Sequence, residues 1–375
     1  MNAPSATLRT WSAGPLTADV ARSAAKLREL PDVRHVVLLP DVHLASDVCV
    51  GAVVATTHLV YPAAVGSDIG CGMATVALDA SADLLADELR AGRLLAALYR
   101  HIPSNRHAAR RDLPAECDAP LLSHPSLRAL ANRDGRVQLG TLGRGNHFLE
   151  FQADADQRLW VVVHSGSRGL GQAITRQHTR ESPAVRGLVC LDTQSAAGQA
   201  YLADVAWARH YAAANRLAML RAVEAILRDE FAIPLDWSTL VHSDHDHVRR
   251  EWHFGELLWV HRKGAQPAEE GAAGIIPGSM GTATFQVEGR GCPEALKSCS
   301  HGAGRDLSRS AARRSINASA LERQMRGIWF DRRRSAALIE EAPGAYKEIG
   351  QVLRAQGDLV KIVRRLEPRL CYKGL

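Results

Sequence analysis

Gly66-Ser67-Asp68-Ile69-Gly70-Cys71-Gly72-Met73 sets a carboxylate and a thiol three residues apart in a backbone carrying three glycines. Asp68 is a hard oxygen donor and Cys71 a soft sulfur donor, a pair that suits a borderline divalent metal. Glycine lets the chain turn tightly enough for both side chains to meet one centre. A buried structural cysteine explains Asp-x-x-Cys equally well when the motif stands alone. Histidines in similarly Gly-rich turns stand far downstream, in Gly145-Asn146-His147-Phe148, His164-Ser165-Gly166-Ser167-Arg168-Gly169 and Ser300-His301-Gly302-Ala303-Gly304-Arg305. One site built from positions 68 to 301 must draw on most of the chain. That predicts an α+β fold, one complex domain over residues 1–375 with central β-sheets surrounded by helices.

Composition narrows the class. The 375 residues are 46% hydrophobic and 23% charged, the balance of a globular protein with a sizeable core. The net charge of +6 permits a polyanionic partner without proving one. Seven scattered cysteines show neither a disulfide framework nor a Cys-x-x-Cys zinc site, which points to a reducing compartment. Met1-Asn2-Ala3-Pro4-Ser5 starts no secretory signal. The most apolar helical run, 196–231, contains Asp204, Arg209, Arg216 and Glu224, too many charges to cross a bilayer. The expected location is the cytoplasm, with no membrane partner.

Periodicity predicts alternating short strands and helices without a repeat. Thr17 caps a helix running to about residue 30, and strands follow at 33–39, 50–61 and 74–78. Ser81 is read as the cap of a helix through about 99. Residues 103–135, rich in Pro, Arg and Asp, read as a surface excursion. Strands are expected at 159–163, 256–261 and 282–287, with the Ala-rich helix 196–231 between the first two. The last third reads as mostly helical, at 309–325 and 346–363. No Pro/Gly/Ser linker or composition shift divides the chain.

The glycines of Leu139-Gly140-Thr141-Leu142-Gly143-Arg144-Gly145 lack dinucleotide-fold spacing, yet such a turn can offer N–H groups to phosphate, with Asn146 adding a donor. His164 ends an apolar strand and enters a Gly/Ser loop, a ligand-like position. Val241-His242-Ser243-Asp244-His245-Asp246-His247 holds three histidines and two aspartates, and spacing leaves open which points inward. Pro277-Gly278-Ser279-Met280-Gly281-Thr282 reads as a turn feeding a strand. His301, with Arg305 four residues on, could bring an imidazole and a guanidinium to one phosphoryl group. Cys299 beside it reads as a small buried hydrophobe.

Taken in order, Pro40-Asp41-Val42-His43, Asp-Ile-Gly-Cys-Gly-Met, Gly-x-Gly-Asn-His-Phe-x-Glu, His-Ser-Gly-Ser-Arg-Gly, Pro-Gly-Ser-Met-Gly and Ser-His-Gly-Ala-Gly-Arg resemble the RtcB RNA ligases. His253-Phe254-Gly255, Arg262-Lys263-Gly264-Ala265 and Lys373-Gly374 extend the likeness over residues 36–374. The resemblance implies an enzyme joining RNA 3′-phosphate or 2′,3′-cyclic phosphate ends to 5′-hydroxyl ends, with GTP and two Mn²⁺ ions. It makes His301 the histidine that becomes guanylylated and Asp41 the residue orienting it. Cys71 would bridge the metals, Asp68 and His147 completing one site and His164 and His245 the other. His245 is singled out over His242 and His247 by its spacing to Val248 and His253-Phe254-Gly255.

Nucleotide contacts are implied for Asn146, His147, Phe148, Leu149, Glu150, His245, Asp246, Pro277, Gly278, Ser279, Met280 and Thr284. The same holds for His301, Gly302, Ala303, Gly304, Arg305 and Lys373. The implied partners are cleaved or damaged tRNA or ribosomal RNA ends, in repair or splicing, and an activating protein fits the scheme. Arg313, Arg314 and Arg323, or Arg332-Arg333-Arg334, are candidates to meet RNA phosphates. Asp246 departs from the Asn usual in the family, and Arg144 replaces a small residue. Connections at 73–138 and 170–240 are short. Asp246 keeps a second function in view, a metal-dependent phosphoesterase opening 2′,3′-cyclic phosphates without ligation. A non-catalytic RNA-binding scaffold would have no need of His301.

Overall fold

The structure, a computed structural model, describes residues 6–374. Two sheets organise it. The larger has seven strands in the order Leu235–Asp244, Gly72–Ser81, Arg158–Ser165, Phe148–Ala153, Val360–Lys373, Thr284–Gly289 and Ala273–Pro277. Every pairing in it is antiparallel. Its first and last strands pack against each other, so the sheet nearly closes on itself. The smaller has five strands in the order Thr7–Thr10, Val33–His43, Val50–Thr56, Glu256–Lys263 and Asp246–His253.

Strand alternation decides what each side chain meets. Leu149, Phe151, Ala153, Val161 and Val163 point outward, into a core closed by the helices Glu88–His101 and Ala196–Phe231. Phe148, Trp160 and Val162 point into the interior of the nearly closed sheet, with Met73, Ile275 and Leu366. In the smaller sheet Val36, Leu38 and Val54 face the helix Ala18–Arg28, while Val37, Leu39 and Val53 face the opposite core.

Two helices form where the sequence places them. The Thr17 side chain accepts from Val20 N at the start of Ala18–Arg28. Ser195 likewise caps Ala196–Phe231 by accepting from Gly198 N at 3.0 Å. The strands near 33–43, 158–165, 256–263 and 284–289 lie where alternation puts them.

Four expectations need correction. Ser81 caps only a short 3-10 turn, Ala82–Leu85, and Asp87 caps the helix proper, Glu88–His101. The run 309–325 is two helices, Arg309–Ser315 and Ala318–Gln324, because Asn317 leaves the helix and caps the second. Within 103–135, Cys117, Leu122, Leu127 and Ala131 are buried against Tyr201, Trp207 and Tyr211 of the long helix, so this segment is core as well as surface. The run 346–363 is helical only at Ile349–Arg354 and then becomes the 14-residue strand Val360–Lys373. The last third is therefore not mostly helical.

Candidate metal centre and nucleotide cleft

Strand ends bring the ligand candidates together. Cys71 immediately precedes Gly72–Ser81, His147 immediately precedes Phe148–Ala153, and His164 lies near the end of Arg158–Ser165. These strands are antiparallel neighbours, with His164 opposite both Met73 and Phe148, so all three residues reach the same rim. His245 is the single residue between Leu235–Asp244 of one sheet and Asp246–His253 of the other. It is held by His245 N donating to the Cys71 carbonyl at 2.8 Å.

Cys71 Sγ lies 3.2 Å from His164 Nε2 and 3.5 Å from His147 Nε2. His147 Nε2 is 2.9 Å from Asp68 Oδ2, and His164 Nε2 is 3.3 Å from His245 Nε2. Two groups result, Asp68–Cys71–His147 and Cys71–His164–His245, each with ligand atoms within 4.8 Å of one another. Cys71 belongs to both. The donor set fits a cation on two grounds. Asp68 Oδ1 is buried without a partner, and a thiol with three imidazoles and a carboxylate suits manganese or zinc better than magnesium.

Electrostatics agrees with that fit. Burial, with the charge of nearby Asp68 and Asp246, pushes the Cys71 thiol well above its usual range, so a metal must displace a proton to use the sulfur. Burial holds His164 and His245 well below the ordinary imidazole range, with His147 and His301 adding to the effect on His164, and His301, His164 and Arg216 to that on His245. Both rings are therefore neutral at physiological pH. His164 Nδ1 lies 3.2 Å from the Asn146 carbonyl, and donation there leaves Nε2 as a lone pair for a metal.

His301 follows the short strand Ser298–Ser300, which pairs with Ala265–Pro267. Its Nδ1 is 2.6 Å from Asp41 Oδ2, and its backbone N donates to the same oxygen at 3.2 Å. Asp41 is completely buried and clamped by two glycines with positive φ. A Cβ on Gly51 would lie 2.8 Å from Asp41 Oδ1, and one on Gly304 would lie 2.2 Å from the Asp41 carbonyl oxygen. Burial draws the His301 imidazole down, but the Asp41 hydrogen bond and charge, with Asp246, outweigh it and hold the pKa above the ordinary value. The His301 and His245 rings lie 4.7 Å apart. The Asp41–His301 pair thus abuts the ligand cluster.

Both open onto a cleft of about 1220 Å³. Asn146, Phe148, His164, Ser279, His301 and Lys373 line it, as do Pro277 and the turn Gly302-Ala303-Gly304-Arg305. Lys373 Nζ sits 5.7 Å over the Phe148 ring and donates to Glu341 at 2.8 Å. Glu150 is buried within the nearly closed sheet, accepting from Gln152 at 2.6 Å and from the Cys371 thiol at 3.1 Å. Burial raises it to about 7. Thr284 accepts from the same Gln152 amide. Asp246 is raised to about 7 by burial and accepts from Gly264 N at 2.7 Å.

Three of the residues with implied nucleotide contacts turn their side chains to other partners. Leu149 alternates to the outer face and is wholly buried in the helix-covered core. Met280 packs against Ala312, Leu321 and Met325. Arg305 is committed to Leu307 O, Glu340 O, Glu341 and Tyr346, so its guanidinium braces the wall of the cleft. Among the basic candidates, Arg313 pairs with Glu340, and Arg333 and Arg334 pair with Asp331.

Sequence reading passed over three residues that support the cluster. Arg216 of the long helix is 1% exposed, donating to Gly70 O at 2.8 Å and Ser165 O at 2.7 Å, next to Cys71 and His164. Asn215 accepts from Gly140 N and Thr141 N and donates to Ser165 Oγ, tying the Gly-rich turn to the same strand. Arg168, at φ 61°, reaches His147 Nδ1 at 3.3 Å. The first two carried a weak signal, polar residues on the buried stripe of an Ala-rich helix.

Fold and site together define a chain built around one histidine-bearing cleft with side chains able to hold metal. The family described as "tRNA-splicing ligase RtcB" matches residues 23–124 and 118–374. An RNA-splicing ligase RtcB of Escherichia coli K12 is 36% identical, covering 100% of this chain and 98% of the relative. A Mycobacterium tuberculosis RNA-splicing ligase RtcB is 32% identical over 91% of this chain and 97% of its own length. A tRNA-splicing ligase RtcB of Thermococcus kodakarensis is 28% identical over 94% and 90%. The chain belongs to the RtcB family, and it is an RNA ligase.

Proposed function

We propose that this RNA ligase uses GTP and two Mn²⁺ ions to join RNA 3′-phosphate or 2′,3′-cyclic phosphate ends to 5′-hydroxyl ends, with His301 becoming guanylylated. The whole chain acts as one catalytic unit on cleaved or damaged tRNA or ribosomal RNA in the cytoplasm. The observation that carries this reading is the buried Asp41–His301 pair abutting a ligand cluster with Cys71 common to both halves.

Asp68 and His147 would hold one metal, His164 and His245 the other, and Cys71 both. When bound, the metals offset charge developing on phosphoryl oxygens. Asp41 accepts from His301 Nδ1, which leaves Nε2 as the nucleophile for the GTP α-phosphorus. The buried Asp41 carboxylate stabilises positive charge that grows on the ring during attack. Transfer of GMP to the RNA 3′-phosphate then converts a poor electrophile into an anhydride, from which the 5′-hydroxyl displaces GMP. Glu150, aimed into the sheet interior, suits the guanine N–H groups, while Phe148 offers a face and Lys373 a cation.

The test is incubation with radiolabelled GTP and Mn²⁺, followed by denaturing electrophoresis. A covalent adduct abolished by His301→Ala and by Cys71→Ala supports the proposal. Metal-loaded wild-type protein that never labels overturns it. Products from a 2′,3′-cyclic phosphate RNA and a 5′-hydroxyl RNA separate ligation from simple opening of the cyclic ester.

A further inference from the structure

Residues 100–144 hold eight arginines against four carboxylates, so this one stretch carries four of the chain's six net positive charges. The nucleotide cleft does not account for them, because none of the eight lines it. Nor are they strung on a loose loop. Cys117, Leu122, Leu127 and Leu139 are buried in one core with Tyr201 and Tyr211 of the long helix. Backbone bonds then lace segment 103–111 to segment 136–143. Leu142 N donates to the Pro103 carbonyl at 3.1 Å and Gly143 N to that of Ser104 at 2.9 Å. His107 N donates to the Val137 carbonyl at 2.8 Å and Arg111 N to that of Arg136 at 2.7 Å. One end of this frame is the Gly-rich turn that delivers His147.

The arginines on the frame divide into two sets. Arg133 and Arg136 pair with Asp134 and Asp112. Arg106, Arg110, Arg111 and Arg144 form no ion pair among the described residues, and all but Arg111 are exposed. A Cβ on Gly140, at φ 78°, would lie 2.7 Å from Arg111 Nη1, so the bare glycine lets that guanidinium lie against the turn. Burial lowers Arg111, and no neighbouring carboxylate offsets it. A partly desolvated cation without a counter-ion is poised for an anion from outside. A hollow of about 600 Å³, separate from the cleft, opens between Arg106, His107, Arg110 and Arg133. Arg144 links this hollow to the cleft: a Cβ on the next residue, Gly145, would lie 3.1 Å from Arg309 Nη2, and Arg309 is on the cleft wall.

We propose that the strip formed by Arg144, Arg106, Arg110 and Arg111 is a second RNA contact outside the catalytic cleft, holding the sugar-phosphate backbone of the substrate's body several nucleotides from the ends being joined. The inference rests on the RNA ligase assignment and needs none of the GTP chemistry. From Ser104 to Arg111 the chain spans at most about 25 Å, room for about seven nucleotides of a strand rising ~3.4 Å each. Arginine suits this task because its planar fork meets a phosphate with two parallel hydrogen bonds. Backbone contacts carry no base information, so the strip adds affinity for the RNA body without restricting which ends are sealed.

Equilibrium binding and ligation with RNA of two lengths test the strip: strands of about 20 nucleotides reach it, and strands of about three do not. The variant Arg106→Ala/Arg110→Ala/Arg144→Ala alters only exposed side chains. Arg186→Ala/Arg228→Ala/Arg365→Ala removes the same charge from exposed positions elsewhere. Losing three single-strand phosphate contacts should make the plot of log affinity against log salt shallower by about two, which is about 10²-fold in affinity at about 0.1 M salt. KM for long strands should rise with it, while kcat, short-strand sealing and the melting midpoint stay at wild-type values. Long-strand affinity within threefold of wild type, or an unchanged salt slope, overturns the proposal. So does an equal loss in the second variant, since net charge alone would then explain binding. An equal loss with short strands refutes it as well, by placing the effect inside the cleft. Binding needs no chemistry, so wild-type protein that binds RNA but never labels with GTP overturns the GTP reading alone.

Discussion

Replacing Asp41 by Asn changes one charge in the most constrained part of the site. Asp41 Oδ2 serves both His301 Nδ1 and His301 N, while Oδ1 is buried without a partner. Asparagine has two poor choices there. With its oxygen in the Oδ2 position, its NH2 group occupies a buried spot offering no acceptor, against the face of Gly51. With NH2 in that position it donates to Nδ1, which forces the proton onto Nε2 and removes the nucleophilic lone pair. Breaking a buried charged pair costs about 3–5 kcal/mol, and each 1.36 kcal/mol carried into the barrier is about tenfold in rate. Guanylylation by Asp41→Asn should therefore be about 10²–10⁴-fold slower on its high-pH plateau.

The pH dependence moves the other way. Burial lowers His301 and Asp41 raises it, with a net increase. Removing the carboxylate leaves burial dominant, so the acid limb of the adduct rate should shift to lower pH. Linkage gives a matching stability signature. A raised His301 pKa contributes stability that is present below the ordinary imidazole value and lost as pH rises through the raised one. The variant should thus lose more melting temperature near pH 5 than near pH 8. Rapid-quench labelling with GTP across that range, paired with calorimetry, measures both. A plateau rate within threefold of wild type, or an acid limb moving upward, would refute the dyad.

Three further outcomes follow from the same geometry. Equilibrium dialysis with Mn²⁺ should show His147→Ala and His245→Ala each losing one of two ions and Cys71→Ala losing both; unchanged stoichiometry in Cys71→Ala would exclude a shared ligand. Arg216→Met leaves the Gly70 and Ser165 carbonyls without their buried donor, at about 1–3 kcal/mol each. Urea unfolding should register that as a lower midpoint, with weaker Mn²⁺ binding, and a wild-type midpoint would contradict it. Asp246→Asn removes a buried carboxylate near His301 and the anionic substrate, so the GTP concentration for half-maximal labelling should fall by about tenfold, a modest share of the Coulomb energy at these distances. An increase would mean that Asp246 contributes to binding.

Much of the site was legible because close approach leaves a mark in sequence. Gly51, Gly70 and Gly304 have positive φ, and a Cβ on any of them would lie 2.2–2.8 Å from its nearest neighbour. Gly-rich turns thus point to where Cys71, His147 and His301 are delivered. Alternation also separated interior from exterior, since the even positions Phe148 and Glu150 face inward. Leu149 enters with the contiguous motif, whereas the pleat turns its side chain to the outer core. The helix Ala196–Phe231 was legible end to end because Ser195 caps it and no Gly or Pro interrupts its buried stripe after the first turn. The terminal strand was hidden by a short apolar helix directly before it, Ile349, Val352 and Leu353 supplying helical spacing. The turn at Gly357 then resets the period to two.

Arg216 shows why the remainder was illegible. A buried arginine on a helix has no motif, and its partners are backbone carbonyls 146 and 51 residues away, so its place on the buried stripe of an Ala-rich helix is a weak local mark and nothing stronger separates it from a solvated charge. Its place becomes intelligible only against the cluster it underlies. Asp68 and Cys71 would both be negative once the sulfur is deprotonated, and the long helix carries a cation on their protein side. A metal entering from the cleft would face two anions already partly compensated from behind, which tempers their mutual repulsion in the metal-free protein. The same guanidinium fixes the carbonyls beside Cys71 and His164, so ligand position and charge compensation depend on one side chain. Arg216→Lys separates the two contributions, because it keeps the charge but lacks the planar fork for both carbonyls. Mn²⁺ affinity intermediate between wild type and Arg216→Met would show that both operate, whereas equal losses in the two variants would assign the effect to geometry alone.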